Sequence, residues 1–241
     1  MTPPRSPETE GLVVAIDGPA GSGKSTVARG VARTLGLRRL DTGAMYRALT
    51  DAALRRRISP DDGRALASLA RQLRFEQHGS RLLVDGKAPG RAIRRPEVSR
   101  AVSAVSAKPA VRRELVRSQR ALIGRGGIVV EGRDIGTVVC PDADLKVFLT
   151  ASSAERARRR HKELSAAGVR VGLRRLKGEL DRRDAHDSTR AVSPLKPAAD
   201  AVLVDSTGKT PAQVVREIVR MARDRAAPKA KKKASRRGAK A

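Results

Sequence analysis

Hydrophobic and polar positions follow two periods along the chain. Four short apolar runs have the length and branching of buried strands: Leu12–Ile16, Gly127–Val130, Leu145–Leu149 and Ala201–Asp205. Leu37-Arg38-Arg39-Leu40 is a shorter candidate strand. Between the runs, apolar residues recur every three or four positions. Val27, Val31 and Leu35 form one such stripe, with Gly36 where a helix stops. Val98, Val102 and Val105, then Val111, Leu115 and Leu122, form two more, broken at Pro109. Val214, Val215, Ile218, Val219 and Met221 mark a final helix. Strands alternating with helices predict an α/β fold with a five-stranded parallel core and helices on both faces.

One region breaks this rhythm. Phe75-Glu76-Gln77 and Leu82-Leu83-Val84 flank His78-Gly79-Ser80, with Asp85-Gly86 following, which are hairpin signals. A small antiparallel insertion over about residues 60–110 is expected, facing the substrate. The rest of the 241-residue chain reads as one domain over 11–225, preceded by a polar, proline-rich leader at 1–10 that is expected to be disordered. No run has transmembrane length and the leader lacks a signal peptide's apolar stretch, so no membrane partner is expected. The single cysteine, Cys140, allows no intramolecular disulfide and suits a reducing cytoplasm; it reads as a buried strand end.

Composition adds a net charge of +27. Residues 226–241 hold seven Lys and Arg and no acid, so a disordered basic tail is expected there. Tyr46, Phe75 and Phe148 are the only aromatics, too few for a base-stacking platform. Contact with nucleic acid is therefore expected only through the tail, and arginine clamps on small phosphorylated ligands suit the body of the chain better.

The chemistry begins at Gly18-Pro19-Ala20-Gly21-Ser22-Gly23-Lys24-Ser25, a phosphate-binding loop between the first strand and first helix, with Thr26 beside it. The glycines let successive N–H groups turn around an anion, Lys24 brings a mobile charge to the β- and γ-phosphates, and the Ser25 hydroxyl suits Mg2+. Asp41-Thr42-Gly43-Ala44-Met45-Tyr46-Arg47 follows the second strand, with Thr42 as a candidate helix cap and Arg47 one turn inside. Glu131-Gly132-Arg133-Asp134-Ile135-Gly136 ends the third, where ligands meet open α/β sheets; Arg133 and Asp134 either bind ligand or pair with each other. Arg156, Arg158, Arg159 and Arg160 crowd one helix after the fourth strand, with Arg182, Arg183 and Arg190 beyond it. Such like-charge spacing is costly unless anions neutralise it, as in a lid over about 154–190, though a solvated face remains the alternative. Ser103 and Arg112, taken alone, look like surface residues.

Together, the phosphate loop, the Asp41–Arg47 and Glu131–Val139 stretches, and Arg182-Arg183-Asp184 through Arg190-Ala191-Val192-Ser193-Pro194-Leu195 resemble bacterial cytidylate kinases over roughly residues 11–225. Only the leader and the tail depart from the pattern. The resemblance implies a P-loop nucleoside-monophosphate kinase fold that uses ATP and Mg2+ to phosphorylate CMP or dCMP; a cytoplasmic monomer is expected. It implies that Thr42, Arg47, Arg133 and Arg190 hold the acceptor phosphate and that Asp187 and Arg183 meet the ribose. Ser103, Arg112 and Asp134 would read cytosine, while Lys24 and lid arginines such as Arg156, Arg159 and Arg160 approach the donor phosphates. Two rivals stay open from the residues: a P-loop kinase for another small acceptor (AMP, dTMP or shikimate), and a nucleic-acid-associated NTPase.

Overall fold

Val13–Asp17 (β1) lies at the centre of a five-stranded parallel sheet in the computed structural model, which describes residues 9–166 and 168–238, with side chains to Ala226. Arg38–Asp41 (β2), Phe75–His78 (β3), Arg81–Val84 (β4), Ile128–Glu131 (β5), Leu145–Thr150 (β6) and Val202–Asp205 (β7) follow in the chain. Across the sheet the order is β2-β5-β1-β6-β7, while β3 and β4 form a separate antiparallel pair. Registry fixes where the chemistry gathers. Ile16 pairs with Glu131, and Asp41 with Glu131, so three strands deliver their polar last residues to one edge of the sheet.

Lys24–Leu35 (α1) and Pro211–Gly238 (α8) cover one face. Val27, Val31, Ile218 and Ala222 pack there against Val14, Ile16 and Val147. Gly30 allows the close approach: a Cβ built on it would sit 2.5 Å from Val215 Cγ2. On the other face, Thr42–Arg55 (α2) and Pro109–Ile123 (α5) bring Met45 and Ile123 to Ala15, Leu40 and Val130. Gly63–Gln72 (α3) and Pro96–Ala107 (α4) add an outlying cluster, where Leu66, Leu69 and Val105 meet Leu49 and Leu115. Each fully buried Leu or Val contributes about 1.5–3 kcal/mol. The expected break at Pro109 is where α5 starts, with proline at the first helical position.

The hairpin lies along the edge strand, where Gln77 Nε2 donates to the Arg39 carbonyl at 2.8 Å. Ser153–Ala166 (α6) and Leu173–Thr189 (α7) are the helices of the arginine-rich region.

Two local expectations are corrected. Asp41, not Thr42, caps α2, accepting from Ala44 N at 2.9 Å, because Thr42 already lies inside the helix and gives its hydroxyl to the Glu131 carbonyl. Cys140 follows a π-helical turn, Ile135–Val139, rather than ending a strand, because Gly132 to Asp134 already turn the chain out of the sheet. The backbone of α8 runs on to Gly238. Its side chains after Ala226, residues 239–241 and residues 1–8 of the leader lie outside the described residues.

Candidate active site

The phosphate loop needs its glycines. Gly21 and Gly23 have φ of 77° and 92°, and a Cβ on Gly18 (φ 147°) would collide with the Leu149 carbonyl. The main-chain N–H groups of Gly21, Gly23, Lys24 and Ser25 have no acceptor among the described residues, and α1 starts at Lys24. An anion at this helix N-terminus would satisfy all four. Lys24 Nζ donates to the Pro19 carbonyl at 2.7 Å; burial and the nearby Arg133 charge push the ammonium well below the usual lysine range. Phosphate charge in the loop would act in the opposite sense.

Beside it, Ser25 Oγ donates to Glu131 Oε2 at 2.6 Å, and Arg39 reaches Glu131 Oε1 at 2.6 Å. Burial, then the Asp41 charge, raises the Glu131 carboxyl despite Arg39 and Ser25. No group of three or more His, Cys, Asp and Glu among the described residues could hold a metal by itself. The oxygen donors at Ser25 and Glu131 nevertheless suit a magnesium ion that brings its own phosphate and water ligands.

Ala20 to Thr26 line one wall of a cleft of about 1260 Å3. Gly18 and Pro19 stand behind that wall. Facing it, Arg112 and Asp134 form a buried ion pair, with the Arg112 guanidinium 5.5 Å from the Tyr46 ring centroid. Arg133 Nε donates to Asp187 at 3.0 Å, and Arg190 lies 3.9 Å from both Asp134 and Asp187. The charges therefore alternate: Arg112, Asp134, Arg190, Asp187, Arg133. Although burial raises Asp187, Arg133 and Arg183 hold its carboxyl below the usual range. Burial and the Arg133 charge push Arg183 down to about 10. Four buried donors around this set have no hydrogen-bond partner: Arg112 Nε, Arg183 Nε, an Arg190 Nη and the Tyr46 hydroxyl. Buried donors without partners at a cleft wall fit a polar, anionic ligand.

Arg47, Thr42 and Ser103 also line the cleft. Arg47 is steadied by Ser99 Oγ at 3.0 Å, which ties α2 to α4. Arg112, which resembled a surface residue, is 3% exposed, because α5 packs its start under α4 and over Asp134. The open alternative for Arg133 and Asp134 resolves against a mutual pair, since each has a different partner.

The lid arginines divide. Arg160 lines the cleft and pairs with Glu163 at 2.8 Å. Arg159 crosses to the loop, donating to the Ser22 carbonyl and to Ser206 Oγ at 2.9 Å. Arg156 does not reach the cleft wall: it is buried against Asp184 and the Ala20 carbonyl. Asp184 Oδ1 also accepts from Ala20 N at 3.1 Å, so α7 is latched to the loop. Acidic partners such as Glu155, Glu163 and Asp184 thus neutralise much of the arginine helix.

A family model for cytidylate kinase matches residues 14–224. The chain belongs to the cytidylate kinase family. The cytidylate kinase of Desulfitobacterium hafniense (strain Y51) is 51% identical over 217 residues, covering 89% of this chain and 94% of that protein. The cytidylate kinase of Mycobacterium leprae (strain Br4923) is 51% identical over 215 residues, 89% of this chain and 96% of the relative. A bifunctional pantoate ligase/cytidylate kinase of Synechococcus sp. (strain JA-3-3Ab) is 53% identical over 92% of this chain, which spans 42% of that longer protein. Family membership makes the chain a (d)CMP kinase, a phosphotransferase.

Sequence reasoning missed Asp17, Glu131 and Tyr46 as parts of the site. Asp17 and Glu131 did carry a signal: a carboxylate ending an otherwise apolar buried strand. Tyr46 carried none beyond its rarity.

Proposed function

We propose that this kinase transfers the γ-phosphoryl group of MgATP to CMP or dCMP, giving ADP and CDP or dCDP. The observation that carries the reading is the alternating set Arg112–Asp134–Arg190–Asp187–Arg133, which shares one cleft with the phosphate loop.

The loop N–H groups of Gly21, Gly23, Lys24 and Ser25 and the Lys24 ammonium bind the donor phosphates, and the Ser25 hydroxyl would hold the metal. Magnesium held there would supply charge neutralisation to the donor phosphates. Arg47, Arg133 and Arg190, with Thr42 at the α2 N-terminus, hold the acceptor phosphate in line. Bidentate guanidinium forks suit its oxygens, and positioning of this kind replaces acid–base machinery.

Cytosine is selected by a donor–acceptor match. Asp134 accepts from its exocyclic amine, Arg112 donates to its ring acceptors, and Ser103 completes the set. Uracil would turn a carbonyl toward Asp134 and an N–H toward Arg112, leaving both buried charges mispaired. Asp187 and Arg183 meet the sugar hydroxyls. Arg160 from the lid approaches the transferred group and the lid excludes water. The same reading has the enzyme act in the cytoplasm as a monomer.

A coupled assay of ADP release tests this, with MgATP against CMP, dCMP, UMP, AMP, dTMP and shikimate. CMP and dCMP are turned over best and Arg133→Ala abolishes the turnover. Preference for another acceptor would overturn the substrate assignment.

A further inference from the structure

The cleft accounts for many of the chain's arginines, yet a second concentration lies outside the acceptor and lid sites. Arg216, Arg220 and Arg223 follow at intervals of four and three on α8, so they share one face of that helix. All three are exposed. Arg33 on α1 is exposed on the helix packed beside it, whereas Arg29, also exposed, lines the main cleft. None of the five forms a salt bridge among the described residues, in contrast to the lid arginines. Thr34 on α1 and Val215, Val219 and the three α8 arginines line a shallow cleft of about 400 Å3. Its one acid is Asp224; Glu217, the other acid on this part of α8, is held by Lys209 at 2.9 Å. The α8 backbone continues into the basic segment as far as Gly238.

An unpaired cationic row on a rigid helix repels itself unless a polyanion lies along it. Its composition selects the polyanion. The exposed large apolar residues among those described, Val169, Leu173, Val192 and Leu203, are all elsewhere, and the apolar face of α8 is spent on the core. Nothing on this face can insert into a bilayer. Nor do Tyr46, Phe75 and Phe148 lie on α1 or α8, so no base can stack here. Guanidinium groups without aromatic company read a phosphodiester backbone and no sequence.

We propose that the α1–α8 face is a sequence-independent docking surface for nucleic acid, with Arg216, Arg220 and Arg223 as its phosphate contacts and the tail as an extension rather than the whole site. Binding depends on the number of phosphates neutralised and falls steeply with salt.

The test is fluorescence anisotropy of the full chain with a labelled 20-nucleotide RNA and a DNA duplex over a KCl series, without and then with saturating ADP and CMP, which block the cleft. Arg216→Gln/Arg220→Gln/Arg223→Gln is expected to bind the RNA at least tenfold more weakly at low salt. Its log–log salt slope should be shallower by about two. The corresponding triple Lys variant keeps the charge and should bind like the parent. Gln replacement of all seven tail cations should leave measurable binding. CMP turnover and thermal midpoint report folding and should stay level in both α8 variants. The proposal fails if the Gln triple variant binds like the parent, if the tail variant alone abolishes binding, or if ADP and CMP displace the RNA. Capture by anionic vesicles without oligonucleotide binding would also overturn it.

Discussion

Asp17, the last residue of β1, accepts the main-chain N–H of Ile135 at 2.8 Å, and its other oxygen takes Gly136 N at 2.8 Å. The strand that leads into the phosphate loop thereby holds the turn that carries Arg133 and Asp134. Donor and acceptor sites are built on one carboxylate. Burial pushes that carboxyl up from 3.8 to about 6, against the two N–H bonds that favour its charged form.

Asp17→Asn should loosen the turn, because an amide can accept only one of the two N–H groups and sets its own NH2 against the other. We expect kcat/KM for CMP to fall about tenfold, in line with roughly 1–3 kcal/mol for a buried donor left unpaired, while KM for ATP changes little. Steady-state kinetics with each substrate varied in turn measures this; an equal rise in KM for both substrates would contradict an effect confined to the acceptor turn.

The same shift predicts a pH dependence. The folded pKa lies above the unfolded one, so the folded state holds the extra proton and this group's contribution declines as pH rises from about 4 to about 6. Between pH 4.5 and 6.5 the unfolding free energy of the parent should therefore drop relative to Asp17→Asn by on the order of 2 kcal/mol. Urea denaturation of both proteins at the two pH values checks the sign.

Arg112→Ala strands Asp134, a residue 4% exposed, without its buried partner. A loss of about 3–5 kcal/mol is expected, near 10 °C in thermal midpoint for a chain of this size. Adding Asp134→Asn should restore much of the stability and none of the preference for CMP over UMP. Calorimetry and the acceptor panel separate the two effects.

Arg156 and Arg160 should behave differently although they lie on one helix. Arg156→Ala breaks the Asp184 latch between α7 and the loop. It should lower the thermal midpoint and raise KM for ATP. Arg160, partly exposed and paired only with Glu163, should cost about tenfold or more in kcat on removal, with little change in stability. Thermal shift assays beside kinetics decide it. Equal stability of the two variants would refute the division.

Ser25→Ala should leave stability within about 1 kcal/mol, since Glu131 keeps Arg39. It should cut kcat by about a hundredfold and shift the magnesium dependence to higher concentration. A magnesium titration of turnover is the measurement.

The sequence by itself determined the parallel α/β core, the hairpin and the phosphate loop. Those features are local: runs of four to six apolar residues, helical stripes and glycines at fixed offsets act within a turn or two of themselves. It also held the separate motifs at 41–47, 131–139 and 182–195, whose co-occurrence resembles one family. What it could not hold was pairing across distance. The partners of Asp134, Asp187, Arg156 and Glu131 come from elements as many as 136 residues away, and only strand registry and helix packing choose among the chain's arginines. Arg112 shows the difference: at the start of α5 it looks solvated, and α4 with Asp134 buries it. Charge count was legible in the chain. Which charges are spent on ion pairs, and which are left facing outward on α8, was decided by the tertiary structure, because burial and the short range of hydrogen bonds are properties of three-dimensional neighbours.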